Sequence, residues 1–251
     1  MVSTHKIFNA YSLYYDLLYK DKDYASEVAY IQNILKQHKI FSGDILELGS
    51  GTGKHGRLLA KYGYKVHGIE RSSEMASQAL TNEGFSCQVG DICTINLKNK
   101  YDAVLSLFHV ISYQIDNKSV HAVFERTSEH LRSGGLFIFD VWYSPAVLTQ
   151  RPSIRIKRLT NGNSEIIRIA EPTVCPNTNT VDVNYTIIIN ETPHGTINKL
   201  FENHPMRHFS LPEIDFLCET HGFQRVRAEE FLTCATPSEE TWGVCIILRK
   251  N

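Results

Sequence analysis

Apolar residues recur at helical spacing through Val28, Ile31, Ile34 and Leu35 and predict a helix over residues 11–39, ended by Gly43. The pattern then changes to short β-rich runs separated by helices. Residues 44–48 predict a strand that enters a glycine cluster. Residues 54–62 predict a helix with Leu58 and Leu59 inward and Gly63 as its stop. A strand over 65–69 ends at Glu70, and Ser72 caps a helix running to about Asn82. A strand over 85–89 is followed by Gly90 and Asp91. Residues 101–108 are apolar with almost no polar interruption, as in a strand buried on both faces. A helix over 119–131, closed by Gly134-Gly135, leads to another buried strand over 136–141. Strands alternating with helices predict an α/β fold, a doubly wound and mostly parallel sheet.

The rhythm breaks after Trp142. Alternating runs at 155–158, 165–170 and 181–189 are separated by turn-forming stretches, Asn161-Gly162-Asn163, Pro176 to Asn179 and Pro193-His194-Gly195. Val181, Val183, Tyr185, Ile187 and Ile189 share one side of their run. An inserted antiparallel sheet is expected. A helix over 211–221, stopped by Gly222, and a final strand over 243–248 follow. The expected organisation is a helical cap over the active site at 1–40, a ligand-binding core at 41–150, an insert for substrate and dimer contacts at 151–209, and a C-terminal helix and strand at 210–251.

Composition narrows the class without naming it. Hydrophobic residues make up 42%, charged residues 21%, and the formal net charge is -1. That is ordinary for a globular protein and gives no basic excess for a nucleic-acid partner. Residues 1–9 lack the apolar stretch of a secretory leader, and no run approaches the length that spans a bilayer. Six scattered cysteines form no C-x-x-C pair, so reduced thiols in a cytoplasmic protein, and no metal site, are expected.

The chemistry concentrates at Glu47-Leu48-Gly49-Ser50-Gly51-Thr52-Gly53, between a strand and a helix. Glycines there let a ligand approach the backbone, and the next helix points its N–H groups at it. Glu70, about twenty residues on, stands where an acid accepts from ribose hydroxyls. Residues 51–56 also satisfy G-x-G-x-x-G, so a nicotinamide-dependent oxidoreductase is weighed. Glu47 argues against it, because a carboxylate beside a diphosphate is repelled while one beside an ammonium or sulfonium is welcome. Asp91, after the third strand, can accept from an adenine amino group. Three acids at successive strand ends suit a cationic, phosphate-free nucleoside.

On these residues the sequence resembles the class I methyltransferases that use S-adenosylmethionine (SAM), over roughly residues 40–142. The resemblance implies SAM as cofactor, held by Glu47, Gly49, Ser50, Gly51, Gly53, Glu70, Arg71, Asp91, Ile92 and Leu107. It also implies that Leu107-Phe108-His109 lines the methyl-transfer site. Tyr15-Asp16-Leu17-Leu18-Tyr19, Lys22-Asp23-Tyr24 and His208-Phe209-Ser210-Leu211 are similar to segments of nucleotide-linked amino-sugar N-methyltransferases of the desosamine type. That narrower resemblance implies Tyr19 near the reacting methyl, Tyr24 near SAM, a nucleotide-linked amino sugar as substrate, and a homodimer. Tyr15 and Tyr19, at i, i+4 spacing, equally fit as residues that pack a helix on the core.

Methyl transfer from a sulfonium is an in-line displacement, and holding donor and acceptor together supplies most of the catalysis. An amine must be neutral to attack, and an alcohol needs a base more urgently. His109 is the best-placed base, although a structural histidine fits the same position. His121, His130 and His221 read as surface residues. Among His194, His204 and His208 of the insert, His208 is the one expected to face substrate. Arg155 and Lys157, within the basic run Arg151, Arg155, Lys157, Arg158, could hold a diphosphate or guard an edge strand. The sequence leaves open O-methylation of a sugar or other metabolite, and a SAM-binding protein without catalysis.

Overall fold

The apolar runs of the first half pair edge to edge in parallel. In the computed structural model, which describes residues 18–162, 164–191 and 195–251, β1 (Gly43–Leu48) lies between β2 (Tyr64–Glu70) and β4 (Tyr101–Ser106). β3 (Phe85–Val89) flanks β2, and β5 (Leu131–Trp142) flanks β4. Two antiparallel strands, β10 (Phe223–Glu230) and β11 (Gly243–Lys250), complete the order β10-β11-β5-β4-β1-β2-β3.

Both faces of this sheet are covered, which is why its strands carry almost no polar residue. One face buries Val104, Phe137 and Phe139 with Phe124 of α4 (Asn117–His130) and Leu217 of α6 (Leu211–His221). The other buries Ile45, Leu105 and Ile138 with Ile31 and Leu35 of α1 (Tyr24–Gln37) and Leu59 of α2 (Lys54–Lys61). Each such side chain contributes about 1.5–3 kcal/mol by leaving water.

Several boundaries differ from the sequence reading. The helix expected over 11–39 is interrupted after Leu18: Tyr19 to Asp21 turn, and Asp23 starts α1 afresh by accepting from the Ser26 N–H at 2.9 Å. Residues 11–17, with Tyr15, Asp16 and Leu17, lie outside the described residues, as do Asn163, Pro193 and His194. Ser72 does cap α3 (Ser73–Gln78), but that helix stops short of Asn82, which bridges back to Phe85. Helix α5 (Ser144–Gln150) and strand β10 were not read from the sequence. β10 is an edge strand whose Gln224, Arg225 and Arg227 give no apolar alternation.

The insert is a four-stranded antiparallel meander, β6 (Arg155–Asn161), β7 (Ser164–Cys175), β8 (Thr180–Glu191) and β9 (Thr196–Arg207). The alternating face of β8 is the buried one. Ile187 and Ile189 pack with Leu18, Leu159 and Ile166, while Val181 and Val183 pack with Val147 of α5. Among the described residues, no helix is long and apolar enough to cross a membrane.

Candidate active site

The loop after β1 is tied to the end of β2. Gly49 and Ser50 donate to the Ile69 carbonyl at 2.8 and 3.1 Å. The Glu70 carboxylate accepts from Gly51 N–H at 2.9 Å and Ser72 N–H at 2.8 Å. Gly51 is left-handed, at φ +56°, so a side-chain residue there would be strained. Gly53, at φ +75°, opens α2 with no side-chain cap, so the helix presents its first N–H groups beside the loop.

A cavity of about 400 Å³ opens over this loop. Gly49, Ser50, Gly51, Glu70, Arg71, Asp91, Ile92 and Leu107 line one half of it, with Tyr24. Tyr19 and His109 line it as well, beside Phe108, Tyr113, Trp142, Tyr185 and His204. Sequence reasoning brought together most of these residues; two it did not place correctly. Gly53 is not on the wall: a Cβ there would stand 2.6 Å from the Phe85 ring, so this glycine seats the loop on β3. Glu47 is not on the wall either. It shares with Ile45 the strand face covered by α2, and a Cβ on Gly56 of α2 would come within 2.7 Å of its Oε2. Its carboxyl is 2% exposed, and burial, with the nearby Glu70 charge, pushes its pKa up to about 8. Burial also raises Glu70, against the opposing N–H groups of Ser72, Gly51 and Arg71.

His109 sits on unusual backbone. Phe108 and His109 are consecutive left-handed residues, at φ +67° and +60°. Asp140 of β5 holds the second: its Oδ2 is 2.7 Å from His109 Nδ1 and accepts from the His109 backbone N–H at 3.2 Å. Burial pushes the Asp140 carboxyl up, but the His109 charge and the N–H groups of His109 and Phe108 outweigh it and hold the pKa below its ordinary value. With Nδ1 engaged, the other ring nitrogen is the one left to exchange a proton. His109 also borders a second cavity of about 370 Å³, lined by Glu27, Asp140, Glu230 and Glu240. Glu27 itself pairs with His55 at 2.7 Å and with Lys22, and the Lys22 ammonium lies 4.5 Å from the centres of the Tyr24 and Phe108 rings.

The insert supplies the opposite wall. His208, expected to face substrate, is fully buried and bonded to Ser144 Oγ at 2.8 Å, because the chain leaves β9 before it and turns inward. His204, on β9 itself, lines the cavity instead. His130 is also not a surface residue: it is 2% exposed and accepts from the Leu97 N–H at 2.8 Å. His121 and His221 face each other at 2.8 Å between α4 and α6. The basic run separates: Arg155 lines the cavity, Lys157 donates to the Leu18 carbonyl, and Arg158 lies 4.0 Å from Glu165. Arg168, not singled out in the sequence, lies 5.2 Å from the Tyr185 ring and 6.0 Å from the Tyr19 ring. Among the described residues no group of three or more His, Cys, Asp or Glu could hold a metal ion.

Comparison with known proteins agrees with this geometry. A family of methyltransferase domains matches residues 45–135. A dTDP-3-amino-3,4,6-trideoxy-alpha-D-glucopyranose N,N-dimethyltransferase of Streptomyces venezuelae is 28% identical over 134 residues, 52% of this chain and 56% of the relative. The chain spans about half the length of the curated relatives it matches. Among solved structures, a SAM-dependent methyltransferase from Clostridium acetobutylicum superposes with a TM-score of 0.79 at 19% identity, covering 97% of this chain and 100% of the other. CalS10, an amino pentose methyltransferase from Micromonospora echinaspora solved with SAM bound, gives 0.77 at 19%, covering 97% and 98%. Residues 45–135 therefore form a methyltransferase domain, and the chain as a whole has the class I methyltransferase fold.

Proposed function

We propose that this chain is a SAM-dependent methyltransferase that N-methylates the amino group of a nucleotide-linked amino sugar. One observation carries the reading: a single cavity joins a glycine loop flanked by Glu70 and Asp91 to an aromatic half that holds a histidine–carboxylate pair. The donor set fits SAM. Glu70 would accept from ribose hydroxyls and Asp91 from the adenine side, with Arg71, Ile92 and Leu107 around the base. Gly49, Ser50, Gly51 and Tyr24 would meet the amino-acid end, with Glu47 and Gly53 bracing the loop from behind. When bound, SAM supplies an electrophilic methyl group.

The chain's own residues then have three tasks. Tyr19, edge-on to Phe108 with ring centres 5.0 Å apart, closes the cavity over the acceptor. His109 takes the acceptor's proton, and Asp140 orients the ring and stabilises its charge. Arg155, and Arg168 through the tyrosines it stacks on, supply positive charge for an anionic substrate group. In this reading residues 1–40 cap the site and residues 151–209 bind substrate. The names of the amino-sugar relatives support the acceptor class. The His109–Asp140 pair also suits an alcohol acceptor, which keeps O-methylation as the second reading.

The proposal includes a cytoplasmic homodimer. Six free cysteines fit a reducing compartment, and the outer sheet face exposes Ile156, Ile197 and Phe201 at 59, 69 and 69%. The test is calorimetry with SAM and NAD, followed by mass spectrometry of products from nucleotide-linked amino sugars and their hydroxyl counterparts. SAM binding with a mass gain on the amino sugars is expected. Binding of NAD alone, or methylation of hydroxyl acceptors only, overturns the reading.

A further inference from the structure

A second histidine–carboxylate pair reaches the same cavity, from the insert. Glu202 and His204 are two residues apart on β9 and so share its inner face. His204 Nε2 lies 2.9 Å from Glu202 Oε2, and His204 Nδ1 lies 2.9 Å from the hydroxyl of Tyr113. Tyr113 closes the short turn Val110–Tyr113, which follows His109 directly. The His204 and Glu202 side chains are only 3 and 5% exposed, while Tyr113 and His204 both line the cavity. The Tyr185 ring packs edge-on against His204 with centres 4.9 Å apart, which fixes the imidazole plane.

The bonding inventory sets the direction. An ionised Glu202 only accepts, so it selects the His204 tautomer with its proton on Nε2. Nδ1 is then the acceptor, and Tyr113 O–H donates to it. The tyrosine oxygen keeps lone pairs that can accept one further donor.

We propose that Tyr113, His204 and Glu202 form a proton relay that takes the acceptor's proton during methyl transfer. Tyr113 is the catalytic group of this set, and His204 and Glu202 act through it. The relay rests on the amine-methylation reading above. As the acceptor N–H bond breaks, its electron pair stays on nitrogen and its proton forms a new bond to the Tyr113 oxygen. The original Tyr113 proton passes to His204 Nδ1, and the resulting imidazolium is balanced by Glu202. Nitrogen's electron pair forms the N–C bond, and the C–S pair leaves with sulfur. Burial, with Tyr185, Tyr19, Glu202 and Glu70 facing it, pushes the Tyr113 hydroxyl well above its ordinary range. An isolated tyrosine there would stay neutral, so a route that removes one proton as another arrives is what makes it useful. The relay also accounts for a buried charged pair on a sheet face otherwise built from Val and Ile.

Three variants and one spectrum test the relay. Tyr113→Phe keeps the ring and removes the oxygen; His204→Asn keeps a side-chain amide near Nδ1 but carries no second proton site; Glu202→Gln removes the charge. Each should lower kcat on the amine about 10²-fold, with KM changed less than about threefold. Glu202→Gln should also move the acid limb of the kcat–pH profile upward in rate at low pH, because His204 loses its anionic partner and stays neutral to lower pH. Glu202→Asp should recover part of the rate. SAM affinity, by calorimetry, should stay within twofold in all of them, and a variant that fails this is set aside in favour of Tyr113→Phe. Nitrogen-15 NMR of the unliganded protein should show the Nε2–H tautomer at His204, inverted or mixed in Glu202→Gln. Wild-type kcat and an unchanged pH profile in Tyr113→Phe overturn the relay. So does an Nδ1–H tautomer in the wild type, whatever the acceptor proves to be. Failure of the wild type to methylate any amine, with the Nε2–H tautomer present, sinks the acceptor assignment instead.

Discussion

The core and the insert each bring a carboxylate-held histidine to one cavity, by opposite means. In the core, Asp140 and His109 come from the ends of neighbouring parallel strands, and the histidine is aimed by backbone that sits in a left-handed conformation. In the insert, Glu202 and His204 come from one strand, and ordinary alternation aims both at once. The first arrangement needs the whole doubly wound sheet; the second needs only a correctly registered hairpin. A strand is thus a cheap way to add a charged pair to a site, but a shift of one residue between β8 and β9 would turn His204 and Glu202 outward.

The sharpest way to break this comparison is to remove both histidines. His109→Ala should lower kcat about 10²-fold or more. If the two pairs handle separate protons, the His109→Ala, His204→Asn double variant loses the product of the single losses; if they serve one step, it loses no more than the worse of the two. Single-turnover kinetics on the acceptor distinguishes these outcomes. A smaller effect is expected at Glu70, which belongs wholly to the core. Glu70→Ala should weaken SAM about tenfold or more, the worth of a charge-assisted hydrogen bond of about 1.5–3 kcal/mol. It also releases the Gly51 and Ser72 N–H groups. Unchanged affinity by calorimetry would remove Glu70 from the cofactor half.

The smallest effect is a pH dependence confined to the core. Glu47 has a folded pKa of about 8, above its unfolded value of 4.5, because of burial and of Glu70, with Arg57 and the Gly56 N–H opposing. Between those values the unfolded chain has lost this proton and the native one keeps it, so stability falls as pH rises and levels off above about 8. Glu47→Gln should flatten that slope and raise the melting temperature at pH 8 by at least about 2–4 °C, what 1 kcal/mol is worth at this chain length. Equal melting curves for both proteins from pH 5 to 8 would show that Glu47 ionises normally.

The core was legible in the sequence because its strands are buried on both faces and its turns need glycine. Gly49, Gly51 and Gly53 all take positive φ, and Ser72 and Gly222 stand at helix ends as read. What escaped was direction. Glu47 looked like a ligand-facing acid, but strand parity with Ile45 sends it under α2. His204 escaped because Pro205 interrupts the pattern of β9, which tolerates proline as an edge strand. Tyr113 carries no local signal at all; only folding brings it, 91 positions away in sequence, to His204.

The two left-handed residues after β4 have a consequence for how this protein can change over generations. Holding Phe108 and His109 there costs roughly 1–2 kcal/mol each. Glycine at either position would make a sturdier molecule with no ring for Tyr19 or no imidazole for Asp140. Selection for heat resistance and selection for turnover therefore pull the same two codons in opposite directions, and a descendant that had lost its activity would be expected to show it first at this turn.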